Sequence, residues 1–248
     1  MMQRPEGFDD VLSPVTRHVE SELPGNVLPQ APRVEGGEAA AKVPPGVGQG
    51  QGGHHRATTL AARGELVECG GHPGEDDVPN FILLPRAAES LKIPFVASGG
   101  MADGRSLVAA LALGAEGMNM GTRFIATKEA PVHENVKQAI VKASELDTRL
   151  IMRSLRNTER VLMNDGVKRI MEIERTKGAA LTIDDIHDQV AGIYPKVMLE
   201  GDMESGAWSC GMVAGLIHDV PTVKQLIDRI MAEAEATIGQ RLRGFAAG

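Results

Sequence analysis

The spacing of apolar positions divides this chain near residue 65. Before that point neither a period of 2 nor one of 3.6 can be traced. The stretch VPPGVGQGQGGHH at 43–55 calls for neither strand nor helix. Beyond residue 65, apolar bursts alternate with helical patterns. FILLPRAAESLK at 81–92 predicts a helix, with Pro85 at a kink or in the first turn. IPFVASGG at 93–100 predicts a short strand that ends in two glycines. DGRSLVAALALG at 103–114 predicts a helix with Asp103 as N-cap and Gly114 just past its end. AEGMNMGTRF at 115–124 predicts a second short strand, again ending near a glycine. This β–loop–α–β–loop rhythm is that of an α/β protein with a parallel sheet and crossover helices.

The next region, 128–200, reads mainly as helix. Three- and four-residue apolar spacing runs through EAPVHENVKQAIVKASELDT, through ERVLMNDGVKRIMEIERTKGA and on into LTIDDIHDQVAGIYPKVMLEGD, where Thr182 is an N-cap candidate. SCGMVAGLI at 209–217 suggests another short buried strand. The remaining residues, VPTVKQLIDRIMAEAEATIGQRLRGF, form an amphipathic helix whose Lys224, Asp228 and Arg229 belong to its solvated face.

Composition narrows the class. In 248 residues, 42% are hydrophobic but only 3% aromatic, so aliphatic contacts must do most of the packing. A formal net charge of −7 excludes a strongly basic nucleic-acid-binding domain. No run of about 18 apolar residues predicts a membrane span, and no secretory h-region opens the chain. Cys69 and Cys210 form no disulfide framework and lack metal-ligand spacing, and neither does the adjacent pair His54 and His55 make a metal site. A cytoplasmic location is the expectation. Residues 1–65 hold seven of the 14 Pro and no Ile, which predicts a leader without stable packing.

Three loops could carry chemistry. In ECGGHPGEDD at 68–77, glycines surround His72, an acid or base for neutral pH; a plain surface turn is the competing reading. Asp76 and Asp77 read as a charge pair at a helix N-terminus. Ser98-Gly99-Gly100 and Met120-Gly121-Thr122 each follow a strand. Two successive strand ends with free backbone N–H groups suit a phosphate, because glycine lacks the Cβ that would block its approach. Ordinary tight turns would have the same composition. Trp208 reads as a packing anchor rather than a pocket wall.

Taken together, ECGGHPGEDD, IPFVASGGMADGRSLVAALALGAEGMNMGTRF and SCGMVAGLIHDVPTVKQLI strongly resemble the nitronate monooxygenase family. The likeness extends to FMN-dependent enoyl-ACP reductases. It covers about residues 66–248, with none found in 1–65. The resemblance implies a TIM barrel carrying FMN, with residues 66–127 as βα units, 128–205 as a helical insertion, and 206–248 as the last strand and C-terminal helix. It implies that His72 is the base near the flavin. Gly71, Ser98, Gly99, Gly100, Met120, Gly121 and Thr122 would hold the cofactor. The reaction implied converts nitroalkanes or nitronates, with O2, to carbonyl compounds and nitrite.

A full barrel needs about 200–250 residues, more than follow residue 65. Residues 1–65 do not read as βα units, so the resemblance implies an incomplete barrel, its C-terminal half, with impaired activity expected. An enoyl-ACP reductase-like enzyme and a non-catalytic remnant of the family are the alternative expectations. Neither nucleic acid nor membrane is an expected partner.

Overall fold

The computed structural model describes residues 67–246. The expectations for the leader and for His54 and His55 lie outside the described residues. The first helix, α1 (Asn80–Ser90), buries Leu83, Leu84 and Ala87, with Pro85 inside it. Strand β1 (Val96–Ala97), helix α2 (Gly104–Ala112) and strand β2 (Gly117–Met118) follow. β1 and β2 pair in parallel, Val96 opposite Gly117 and Ala97 opposite Met118. This is the βαβ unit that the pattern predicts. Asp103 caps α2 as expected: its carboxylate accepts the Ser106 N–H at 2.8 Å, and Gly114 stands at φ +98° just beyond the end.

A short turn α3 (Thr122–Ile125) leads to α4 (Glu134–Lys142), whose cap is the imidazole of His133. Here the structure departs from the expected run of helices. Strands β3 (Thr148–Ile151) and β4 (Glu159–Leu162) form an antiparallel hairpin. All four residues of β4 are buried. A short, wholly buried run has no polar alternation to set it apart from the start of the following helix. That helix, α5 (Asp165–Lys177), begins only at Asp165, where the Asn164 side chain accepts the Val167 N–H at 2.8 Å. Single 3₁₀ turns and the short helices α6 (His187–Val190) and α7 (Ile193–Met198) follow, and Thr182 precedes the 3₁₀ turn Ile183–Asp185.

The expected strand at 209–217 is not formed. Ser209 makes an isolated bridge to Val161, and Met212–Leu216 is a 3₁₀ turn. Glycines at 211 and 215 favour turning over extension here. The last helix, α8 (Val223–Ala236), continues through a π-helical stretch, Thr237–Leu242, into α9 (Arg243–Ala246). Among the described residues the sheets are these two pairs, and no closed barrel is formed. No helix among them is long and apolar enough to cross a membrane.

Three apolar clusters hold these elements. Trp208 packs with Ile140, Val136, Val197 and Ile217, and is fully buried as the packing-anchor reading expects. Leu84, Ala97, Ala110, Met120, Leu226 and Ile230 join α1, α2 and α8 around the parallel pair. Ile151, Val161, Val167, Ile170 and Leu181 join the hairpin to α5. Helices α2 and α8 approach each other closely. A Cβ on Gly104 would lie 2.5 Å from the Ile230 carbonyl oxygen and from the Ala234 nitrogen. The Gly104 N–H also donates to Glu233 Oε2 at 3.0 Å.

Two outcomes follow for this pair of helices. Gly104→Ala is expected to destabilise the protein by about 1–3 kcal/mol, because backbone cannot move aside as a flexible side chain does. Urea unfolding would measure it, and an unchanged midpoint would contradict the close approach. Asp103 sets a pH dependence. Burial alone would raise its carboxyl, but the Ser106 N–H and the Arg105 guanidinium outweigh burial and hold it below its ordinary value. A carboxyl lowered by folding stabilises above the ordinary range and loses that contribution as pH falls through its folded value. Asp103→Ala should cost about 1 kcal/mol at neutral pH. The gap between it and the native protein should narrow below about pH 4. A gap independent of pH would show that the charge contributes nothing.

Candidate functional site

Three loops and one turn meet at a single cleft. The first is the segment from Val67 to Gly71. Its Gly71 N–H donates to the Arg160 carbonyl at 3.1 Å, and the Arg160 N–H donates back to the Gly71 carbonyl at 2.7 Å. The Arg160 Nε donates to the Val67 carbonyl at 2.9 Å and an Nη to Thr148 Oγ1 at 3.0 Å. Burial pushes this guanidinium below its ordinary value, opposed by Cys69, Asp77 and Glu68 nearby. Gly70 has no room for a side chain, since a Cβ would lie 2.8 Å from the backbone of both Cys210 and Gly211.

The second loop leaves β1 at Ser98, and Gly99 and Gly100 take φ +76° and +72°. Left-handed backbone at two successive residues suits glycine alone without strain. The third, Asn119 to Thr122, leaves β2. Thr122 is buried and its Oγ1 accepts the Gly211 N–H at 2.9 Å. The Met212 N–H donates to the Glu68 carbonyl at 3.2 Å, which binds the turn at Gly211 to the first loop.

The cleft has a volume of about 250 Å³. Ser98, Gly99, Gly100, Met120, Gly121 and Thr122 all line it, together with Glu68, Cys69, Gly70 and Asn119. Ser209, Gly211 and Val213 close it from the C-terminal segment. Six expected cofactor-binding residues thus share one cavity wall. Gly71 and His72 are not on that wall. Gly71 is spent on the bridge to Arg160, and His72 is exposed beside it.

The N–H groups of Gly99 and Gly100 donate to no acceptor among the described residues. Two such amides at the lip of a cleft form a cradle for an oxyanion. Glu68 presents a different surface. Its Oε1 accepts the Asn80 N–H at 2.9 Å, and its Oε2 is buried with no partner among the described residues.

A second polar group lies beside the cleft. The Tyr194 hydroxyl donates to Ser209 Oγ, which donates to Glu159 Oε1 at 2.6 Å. The Ser209 N–H in turn donates to the Tyr194 oxygen at 3.0 Å. Asp76 and Asp77 do not open a helix, which starts only at Asn80; Asp77 pairs with Arg153 at 2.6 Å. Cys210 is buried and its thiol is pushed up to about 12 by desolvation, which keeps it unreactive at neutral pH.

Glu68, Asn80, Asn119 and Ser209 were missed as site residues. Glu68 and Ser209 stand next to glycines inside the diagnostic segments, and that position was their one signal. Asn80 carries no signal in sequence, because its partners lie 18 and 19 residues away.

Comparison with known proteins identifies the family. The sequence model of the nitronate monooxygenase family matches residues 52–233, so the likeness starts before residue 66. A (3aS,4S,5R,7aS)-5-hydroxy-7a-methyl-1-oxo-octahydro-1H-indene-4-carboxyl-CoA dehydrogenase of Rhodococcus jostii (strain RHA1) is 32% identical, over 67% of this chain and 56% of its own length. A probable nitronate monooxygenase of Bacillus subtilis (strain 168) is 30% identical, over 67% of this chain and 49% of its own. The structure of FabK from Thermotoga maritima superposes with a TM-score of 0.69 at 37% identity, covering 77% of this chain and 61% of that one. The chain thus spans about half to three fifths of the length of these relatives. The family and its solved neighbours are TIM-barrel flavoprotein oxidoreductases. With the family match running through all three cleft loops, the chain belongs to the nitronate monooxygenase family.

Proposed function

We propose that this protein binds FMN in the cleft and oxidises alkyl nitronates and nitroalkanes, with O2, to carbonyl compounds and nitrite. The observation that carries the reading is the cradle: two left-handed glycines, their amides without an acceptor among the described residues, on the wall of a cavity also lined by Gly121 and Thr122. The residues fit a phosphate group there. A Cβ at Gly121 would meet nothing within 4 Å, and a Cβ at Gly100 would meet Glu68 at 3.6 Å, so the wall is open on the cleft side. FMN, when bound, supplies the redox chemistry that these side chains lack. In this reading the parallel βα unit belongs to the C-terminal part of a TIM barrel.

His72 is the proton acceptor in this proposal. Its imidazole is exposed on the segment that runs from the cleft wall at Gly70. A nitroalkane is acidic at the carbon bearing nitrogen, so a neutral imidazole nitrogen can take that proton. Pre-formed nitronates need no such step. A second reading draws on the likeness to FabK, at 37% identity, an enoyl-ACP reductase neighbour: reduction of an enoyl thioester at the same cleft. Anaerobic mixing separates the two, since a nitronate bleaches the flavin in the first case and NAD(P)H in the second.

Gly100→Val is expected to weaken FMN binding at least about tenfold, because a Cβ at φ +72° both strains the backbone and enters the cradle. Flavin fluorescence titration measures this, with riboflavin as the control that lacks the phosphate. Unchanged FMN affinity would place the phosphate elsewhere. For His72→Asn at full FMN occupancy, turnover of neutral nitroalkanes should fall by about 10²–10⁴-fold while nitronate oxidation is largely kept. Equal loss for both substrates would remove His72 from the role of base.

A further inference from the structure

We propose that Asn80 is the positioning residue of the glycine cradle, the group that aims the Gly99 and Gly100 amides into the cleft. The inference rests on the FMN reading above and adds a residue outside the cleft wall. Asn80 is the first residue of α1 and is only 7% exposed. Its side-chain Nδ2 donates to the Ser98 carbonyl at 2.8 Å and to the Gly99 carbonyl at 2.6 Å.

Those two bonds decide where two N–H groups point. In a trans peptide the C=O and the N–H lie on opposite sides of the chain. The Ser98 carbonyl shares its peptide with the Gly99 N–H, and the Gly99 carbonyl shares its peptide with the Gly100 N–H. Both carbonyls turn toward Asn80, so both amides turn away from it. Neither amide finds an acceptor among the described residues, and both glycines line the cleft. Without a donor on that side, glycine's freedom would let either peptide flip.

The side chain is suited to the task. A primary amide nitrogen carries two hydrogens, one for each carbonyl. A carboxylate of the same shape offers none and would repel both carbonyl oxygens. Asn80 is itself held from behind. Pro79, at the N-cap of α1, makes no side-chain cap bond, and Glu68 takes that place by accepting the Asn80 N–H at 2.9 Å. Glu68 also reaches the third wall, since its carbonyl accepts the Met212 N–H at 3.2 Å. Asn80 therefore stands in a fixed frame that joins α1, the glycine loop and the C-terminal turn.

The test uses the full chain and two flavins. Riboflavin carries ring and sugar chain but no phosphate, so the ratio of FMN to riboflavin affinity reads the cradle alone. Asn80→Asp, an isosteric change, should lower that ratio about tenfold or more, as expected for two lost orienting hydrogen bonds, with riboflavin affinity kept. Asn80→Ala removes the same donors without adding a charge and should lower the ratio in the same direction. Thermal unfolding followed by circular dichroism checks each variant's fold. A native-like ratio in both variants overturns the proposal. Equal weakening of both flavins also overturns it, since Asn80 would then support the fold and not the cradle. If the native chain binds no FMN, the FMN reading itself falls and this inference falls with it. If it binds FMN and riboflavin alike, the phosphate does not use the cradle and the proposal is overturned alone.

Discussion

The buried arginine at the centre of β4 is the constraint on which the rest of the site depends. Arg160 is 6% exposed, so its charge and its backbone must all be satisfied inside the protein. Its carbonyl accepts from Gly71 and from Cys210, at 3.1 and 3.3 Å, and its guanidinium reaches the Val67 carbonyl and Thr148. Three segments distant in sequence thereby acquire one register. The hairpin holds the ECGGH loop, and through it the SCG segment comes to within backbone contact of Gly70. Removal of this side chain would leave Thr148 Oγ1 and the Val67 carbonyl without their donor at the seam of those segments.

From that seam outward, the cleft is built from main chain more than from side chains. Gly70 must be glycine because Cys210 and Gly211 press against it, and Gly99 and Gly100 because of their left-handed backbone. A wall of this kind binds through amide groups whose direction is set elsewhere. Asn80 sets it for one loop, and the Thr122 hydroxyl, taken by the Gly211 N–H, ties the other to the C-terminal turn. Preorganisation of this sort lowers the ordering cost of binding. In the FMN reading, one determinant of affinity then lies behind the cleft surface, at Asn80, which does not line it.

How much of this is legible in sequence follows the range of the interactions. The βαβ unit was readable because Asp103 and Gly114 punctuate α2 and the glycines mark both strand ends. The six cleft-lining residues of the two loops were readable for the same local reason. The hairpin was not, because β4 is buried on both faces and merges into the apolar period of α5. Nor was the fate of 209–217, where one bridge from Ser209 to Val161 replaces the expected strand. The expected placement of His72 beside the flavin came from family likeness. The fold shows the residue exposed next to Gly71, and its chemistry stands as a proposal.

The helical region beyond β4 adds one further link that neither pattern nor likeness suggested. Tyr194, at the start of α7, reaches Ser209 on the cleft wall, and Ser209 passes its own proton donor to the buried Glu159 of β4. Each hydroxyl in this chain is committed in a fixed direction, because Glu159, when ionised, can only accept. The chain therefore fastens the helical region to the hairpin at the point where the C-terminal segment crosses between them. Since Arg160 neighbours Glu159 on β4, the two residues serve opposite sides of one strand. Arg160 anchors the loop that carries Gly70 and His72 and, through the Cys210 N–H, also the segment that faces it, to which Glu159 adds a side-chain bond at Ser209. A four-residue strand thus lies between two walls of the cleft and is bonded to both, in a region where a run of helices was expected.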